Sequence, residues 1–137
     1  MTQNNSINHV DLILHKTSAT DVDFKSTGQT NIMTTPSGLV FIPMGYGIVG
    51  SNVSVVTAPG TFNIGWTAAA YSDFVNGQTF SLTASGNFST ASQFDASAPQ
   101  APYVPANTTV KINVTLGTTA TTASAKVFLY GFFIPDN

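Results

Sequence analysis

Apolar and polar residues alternate along most of this chain with a period of two. The clearest example is TTVKINVTL at residues 108–116, where Val110, Ile112, Val114 and Leu116 alternate with polar side chains. Because successive side chains of a β-strand point to opposite faces, this pattern predicts a strand with one buried face. Similar stretches recur about every ten residues between turn signals, which favours an antiparallel β-sandwich of about eight strands.

Glycine and proline mark the predicted turns. TPSG at residues 35–38 has Pro36 and Gly38 at the second and fourth positions of a turn, where these residues are common. The pair Asn76-Gly77 predicts a tight turn that starts a strand, with Phe80 and Leu82 pointing inward.

Three other segments interrupt the alternation. Pro43 lies inside the apolar run LVFIPM and predicts an edge strand or a bend, because proline cannot donate a ladder hydrogen bond. TTATTA at residues 118–123 is interpreted as a hairpin connection. Residues 67–75 (TAAAYSDFV) are the only stretch that indicates a short turn of helix.

The run VFLYGFFI at residues 127–134 is apolar on both faces. Val127, Leu129 and Phe133 share one face, and the other carries Phe128, Tyr130, Phe132 and Ile134. A strand that is apolar on both faces is covered on both, whereas a two-layer sandwich covers only the inner one. The outer face is therefore predicted to meet a neighbouring subunit or a symmetry axis; the alternative is cover by the chain's own loops.

The chain is organised as one domain. Residues 1–8 (MTQNNSIN) are polar and unpatterned and predict an N-terminal arm, and residues 9–137 form a single domain without repeats or linkers. Residues 97–106 carry Pro99, Pro102 and Pro105 at three-residue spacing, which predicts a stiff loop between two strands. A polyproline ligand for a proline-binding domain is the alternative.

Charged side chains are scarce, at 7% of the 137 residues against about 25% in an ordinary domain. The four basic residues are all lysine, and cysteine is absent. Without arginine no phosphate-binding patch is expected, which argues against nucleic-acid binding, and without cysteine there is no thiol or disulfide chemistry. No apolar run reaches about 18 residues, so we expect no membrane-spanning segment. A surface this poor in charge suits lasting contacts between subunits.

The residues that could carry chemistry are few and scattered. His9 and His15 share a strand face but lie about 20 Å apart, too far to bind one metal ion without a second chain. Asp21 and Asp23 have no further calcium ligands nearby. GYGIVG at residues 45–50 matches the letters of a dinucleotide-binding motif, but a strand pattern follows where a helix is required. We therefore predict no catalytic residue, metal site, cofactor or enzymatic activity.

Two stretches together resemble a known group of proteins. FKSTGQTNIMTTPSGLVFIP at residues 24–43 and VPANTTVKINVTLGTTATTASAKVFLYGFFI at residues 104–134 are similar to small jelly-roll domains of tailed bacteriophages. These domains occur as capsid decoration (cement) proteins and at head- or tail-fibre tips. The shared features are a TPSG-like turn before an apolar strand, a VPA-x-TTV strand start and a last strand that ends in glycine, two aromatic residues and isoleucine. The resemblance implies a jelly roll that forms a homotrimer.

On this basis we expect a decoration protein on the outer capsid surface that stabilises the phage head by bridging neighbouring capsid subunits. Its partners are further copies of the chain and the major capsid protein, with neither nucleic acid nor membrane. The residues expected at the trimer interface are Phe128, Tyr130, Phe132 and Ile134. The residues expected to contact the capsid are Ile7, Asn8, Pro99, Pro102, Tyr103 and Pro105.

Two other functions stay open at this point. A fibre-tip or head-fibre module that binds a host receptor or glycan would stack sugar rings on exposed aromatic side chains, namely Tyr46, Trp66, Tyr71 and Tyr103. A secreted carbohydrate-binding module is the third possibility, and a monomer in solution would favour it.

Overall fold

The computed structural model describes residues 13–54, 56–80, 82, 84–86, 88–91 and 103–137. These residues form nine strands: β1 (His15–Lys16), β2 (Thr20–Asp23), β3 (Gly28–Thr34), β4 (Leu39–Val53), β5 (Gly60–Gly65), β6 (Val75–Phe80), β7 (Phe88–Ala91), β8 (Thr109–Leu116) and β9 (Ala123–Pro135). The strands pair antiparallel throughout. The predicted all-β, antiparallel class is confirmed, with nine strands where about eight were expected. The predicted arm at residues 1–8 lies outside the described residues.

The strands form two sheets around one core. The five-stranded sheet has the order β1-β9-β4-β7, with β2 also pairing with β9, and the four-stranded sheet has the order β3-β8-β5-β6. Inward side chains of both sheets share one hydrophobic cluster. At its centre the ring of Phe24 stacks on that of Phe80 at 4.2 Å and meets Phe62 edge-on at 5.5 Å. Aromatic and aliphatic side chains together therefore join the two layers.

Two long strands, β4 and β9, form the centre of the five-stranded sheet. They pair from Leu39 and Pro135 at one end to Val53 and Ala123 at the other. The register shifts just after Pro43, so the bend predicted there is confirmed. β7 pairs with β4 only at residues 46–49, so among the described residues Pro43 itself is paired on the β9 side alone, as at a strand edge.

Leu116, the last residue of β8, points away from the core and is 56% exposed. Alternation along β8 predicted it to lie inward with Val114. Against β5, however, Leu116 pairs with Thr61 while Val114 pairs with the next residue, Phe62, so one residue of β8 is left without a partner. This irregularity reverses the side-chain direction at the end of the strand.

Asn76-Gly77 also departs from its predicted role. The pair lies inside β6, between the pairings of Val75 with Ile64 and of Gln78 with Phe62, where the register shifts. Gly77 has a φ of +66°, and its N–H donates to Oδ1 of Asn63 at 2.7 Å. The dipeptide therefore makes a bulge instead of a hairpin turn, because an unpaired residue with positive φ favours glycine as much as a tight turn does. Phe80 and Leu82 do point inward, as predicted.

Residues 117–122 connect β8 to β9, which lie in different sheets, so the predicted hairpin connection is wrong. The segment is fixed by other connections instead. Its Thr118 N–H donates to the Phe24 carbonyl at 2.9 Å, and its Thr121 carbonyl accepts from Nζ of Lys25 at 2.8 Å.

Residues 66–74 form a loop in which the predicted turn of helix is reduced to one hydrogen bond, from Tyr71 N–H to the Thr67 carbonyl at 2.9 Å. Oδ2 of the buried Asp73 accepts from the N–H groups of Trp66 and Thr67 and holds the loop closed. Among the described residues we observe no helix, and hence none with the length and apolar character needed to cross a membrane.

Candidate interaction surface

The outer face of the four-stranded sheet is polar and satisfies its own hydrogen bonds. The hydroxyls of Thr61 and Thr115 pair at 2.7 Å. The side-chain amides of Asn63 and Asn113 both donate to the Ala70 carbonyl, at 3.0 and 3.2 Å, and draw the 66–74 loop onto this face. Apart from Leu116 at the end of β8, this side of the molecule offers little apolar surface for a partner.

The outer face of the five-stranded sheet is apolar toward the end of β9. Phe128, Tyr130, Phe132 and Ile134 lie on it and are half-buried, whereas the alternate residues Val127 and Leu129 are fully buried. The predicted division of the strand into two apolar faces is confirmed. Across the register, Ile42 lies beside Phe132 and Val40 beside Ile134; Ile42 is half-buried and widens the apolar area, whereas Val40 is only 7% exposed.

Glycine in β4 makes room for the first of these rings. Gly47 pairs with Phe128, and a Cβ on Gly47 would collide with the Phe128 ring. The ring therefore lies flat across the neighbouring strand. Nζ of Lys16, on β1, lies 4.7 Å from the centre of the same ring. This is a cation–π contact, in which the electron-rich face of the ring attracts the ammonium group.

The segment after the proline-rich loop extends this surface. Phe41 and Val104 exchange two backbone hydrogen bonds at 3.1 and 2.7 Å, and both are fully buried. The antiparallel register then places Tyr103 beside Ile42 and Pro105 beside Val40, both pointing outward. Tyr103 is 48% exposed. A cavity of about 320 Å³ lies here, lined by Val40, Ile42, Tyr103, Ile134, Pro135, Asp136 and Asn137.

We call the resulting surface the apolar face; it consists of Val40, Ile42, Tyr103, Pro105, Phe128, Tyr130, Phe132 and Ile134. It joins residues that the sequence assigned to two separate surfaces. The four residues predicted at a trimer interface and two of those predicted at the capsid, Tyr103 and Pro105, lie on one side of one sheet. The other predicted capsid contacts, Ile7, Asn8, Pro99 and Pro102, lie outside the described residues.

One buried polar residue fixes the 103–105 segment against the sandwich. Thr35, which is 1% exposed, donates through its hydroxyl to the Pro105 carbonyl and accepts from the Thr108 N–H at 2.8 Å. Its own N–H donates to the Thr108 carbonyl at 3.0 Å, and its carbonyl accepts from the Asn107 N–H at 3.1 Å. The local sequence predicts for Thr35 only a position in a turn. Nothing in the local sequence indicates a partner seventy residues away.

The opposite end of the same outer face is charged. Nζ of Lys126 lies 2.9 Å from Oδ1 of Asp21, and both side chains are largely exposed. Asp23 accepts from the N–H of Lys25 at 2.9 Å, which is a local turn bond. The two aspartates thus have ordinary structural partners.

The described residues contain no group of three or more histidine and acidic side chains placed to hold a metal ion. The His15 ring packs edge-on against Phe133, with ring centres 5.3 Å apart. His9, the other histidine of the pair, lies outside the described residues.

The aromatic residues considered for sugar stacking are dispersed. Tyr46 is 3% exposed and packs against Phe62 in the core, so its expected exposure is wrong. Trp66 is half-buried against the core. Tyr71 lies on the polar face with Nζ of Lys111 5.1 Å from its ring centre. Of the four residues, only Tyr103 is on the apolar face.

Comparison with known proteins identifies the fold. No protein-family model matches the chain, and no curated protein sequence matches it. A chain of the cyanophage Pam1 capsid asymmetric unit is similar in structure, with a TM-score of 0.51 and 18% identity over 89% of this chain and 84% of that chain. A chain of the acidic stable capsid of Helicobacter pylori bacteriophage KHP30 is similar with a TM-score of 0.54 and 14% identity, over 94% of this chain and 95% of that chain. At these identities the likeness shows a shared fold.

Proposed function

We propose that this chain is a structural protein of a bacteriophage virion, and specifically a decoration protein on the outer capsid surface that bridges neighbouring capsid subunits. Two phage capsid structures contain chains of the same fold, matched over most of their length. The scarcity of charged residues and the apolar face both suit a protein that is largely covered by partners. No enzymatic role is proposed.

The strand order supports a jelly roll. β1 and β2 both pair with β9 on the same side, so they are equivalent to one interrupted strand. Counted in this way, the molecule has eight strands in two sheets of four, which is the jelly-roll arrangement.

The observation that carries the functional proposal is the contrast between the two outer faces. One is polar and internally hydrogen-bonded, whereas the other presents the apolar face. We infer that the apolar face joins copies of the chain into a homotrimer. The arm and the proline-rich loop, with Ile7, Asn8, Pro99 and Pro102, then contact the major capsid protein. Three linked copies bind the shell together, so a weak contact per copy becomes a durable one.

Copy number on purified phage heads tests this function. Quantitative mass spectrometry should find the chain in a fixed ratio to the major capsid protein, and cryo-electron microscopy should place its density on the outside of the shell. Heads that lack the chain while fibres carry it would contradict decoration and support the fibre-tip alternative. The buried position of Tyr46 already weakens a glycan site built on the four aromatic residues.

A further inference from the structure

The apolar face carries opposite charges at its two ends. Lys16 pairs with Tyr130 across β1 and β9, and its ammonium group lies over the Phe128 ring at one end. Asp136 follows β9 and lines the cavity beside Val40 and Ile134 at the other end. Both side chains are exposed. Phe128, which the ammonium group overlies, and Asp136 are eight residues apart, so about 26 Å separates the two charges along the strand.

Within one chain this separation prevents any useful attraction, because it exceeds the screening length of about 8–10 Å in physiological salt. Between two copies arranged head to tail, the same two charges can meet. We propose that copies of this chain associate through the apolar face in a head-to-tail ring, with the Lys16 end of one copy against the Asp136 end of the next. This inference rests on the proposed homotrimer and specifies its contact.

The size of the face makes its charged ends part of the contact. Its three rows of residues, on β9, β4 and the 103–105 segment, are about 4.8 Å apart and span at most about six residues, which gives an area of about 300 Å². A standard interface uses about 800 Å² on each partner. A contact centred on the apolar face must therefore extend over its rim, where Lys16 and Asp136 lie.

The dimensions also fit three copies. Three flat faces about 20 Å wide, joined at their edges, enclose a triangular space whose centre is about 6 Å from each face, close to half the spacing of about 10 Å between packed sheets. The outward side chains of Tyr130, Phe132 and Ile134 line that space, whereas the Phe128 ring lies across β4. In a ring of four, the centre would be about 10 Å from each face and would stay unfilled.

Charge reversal tests the contact directly. Lys16→Glu alone and Asp136→Lys alone each place like charges against one another at every joint of the ring. Each should lower the trimer association constant roughly tenfold or more at low salt. The double variant Lys16→Glu, Asp136→Lys should restore most of the association, because it restores opposite charges between copies. Sedimentation velocity and light scattering over a dilution series measure the effect.

Two matched controls separate the contact from general damage. Lys111 also lies over an aromatic ring, that of Tyr71, but it is on the polar face. Lys111→Glu should therefore leave association unchanged. Tyr103→Ser on the apolar face should weaken association, whereas Leu116→Ser, an equally exposed apolar position on the other sheet, should not.

The outcomes distinguish this inference from the proposed function. Weakening by each single reversal with recovery in the double variant supports the ring. If the trimer association constant does not change in these variants, the proposed contact is wrong, and the proposed capsid role is not affected. A wild-type chain that stays monomeric or forms only dimers also overturns the ring, and the copy number on phage heads still decides the decoration role independently.

Discussion

At the scale of single residues, a few buried polar groups hold loop segments in place against the two sheets. Thr35 is the clearest case, because its hydroxyl and backbone hold the turn at residues 35–38 to the segment that supplies Tyr103 and Pro105. Because these groups are buried, losing a hydrogen bond would destabilise the fold: an unpaired polar group in the interior has given up its hydrogen bonds to water and gains none in return. The apolar face is thus complete only while Thr35 keeps its partners.

Replacing Thr35 by valine keeps the shape of the side chain and removes its hydroxyl. The Pro105 carbonyl and the Thr108 N–H then lose a buried partner, so we expect the free energy of unfolding to fall by about 2 kcal/mol. Urea denaturation measures it. Thr34→Val is the matched control: its hydroxyl pairs with that of Thr109 at an exposed site, and its loss should cost less than about 0.5 kcal/mol. Equal losses at the two positions would refute the role given to Thr35.

At the scale of elements, β9 contributes to both the core and the apolar face. Its inward residues fill the space between the sheets, and its outward residues form the apolar face. The strand pairs with β4 along its length and, on its other side, with β2 at residues 124–127 and with β1 at Tyr130 and Gly131. A loss of core packing in β9 therefore affects the whole five-stranded sheet.

Alanine substitutions at two leucines distinguish a core position from a surface position. Leu129 in β9 is fully buried, whereas Leu116 at the end of β8 is 56% exposed. We expect Leu129→Ala to lower the free energy of unfolding by about 2–5 kcal/mol and Leu116→Ala to change it by less than about 0.5 kcal/mol. The measurement should use one protein concentration, because self-association raises apparent stability. A large effect at Leu116 would mean that the alternation along β8 is correct and the register shift against β5 is not.

The strands were predictable from sequence where alternation continues without interruption. β8 was located to within one residue, and the run at 127–134 located the second half of β9, because a buried face requires an apolar residue at every second position. The errors at Leu116 and Gly77 both fall where the register shifts, and a shift depends on the partner strand, which local sequence does not specify. TTATTA has the pattern of a hairpin connection for a related reason: the local sequence does not specify that β8 and β9 belong to different sheets.

The apolar face was predictable in part. The four outward residues of β9 followed from alternation, since both faces of that strand are apolar. The addition of Tyr103 and Pro105 was not predictable, because it depends on a bridge between Phe41 and Val104 that joins distant parts of the chain. Long-range pairing of this kind is visible only in the folded molecule.

At the scale of the whole molecule, the low charge and the unequal faces suit repeated weak contacts. Each copy offers one polar and one apolar side, so association through the apolar side leaves the polar sides outward. Linking the copies raises the effective concentration of the second and third capsid contacts once the first has formed. The strength of capsid binding should therefore depend on residues that do not touch the capsid.

Lys16→Glu provides the test of this dependence. If the ring is disrupted, each copy binds the shell alone, and we expect the apparent affinity for heads that lack the chain to fall roughly 100-fold. Co-sedimentation of the purified chain with such heads measures occupancy against concentration. The double variant Lys16→Glu, Asp136→Lys should recover the affinity together with the trimer, and Lys111→Glu should bind as the wild type does. Unchanged capsid affinity in a variant shown to be monomeric would mean that single copies hold the shell and that linkage between copies contributes nothing to binding.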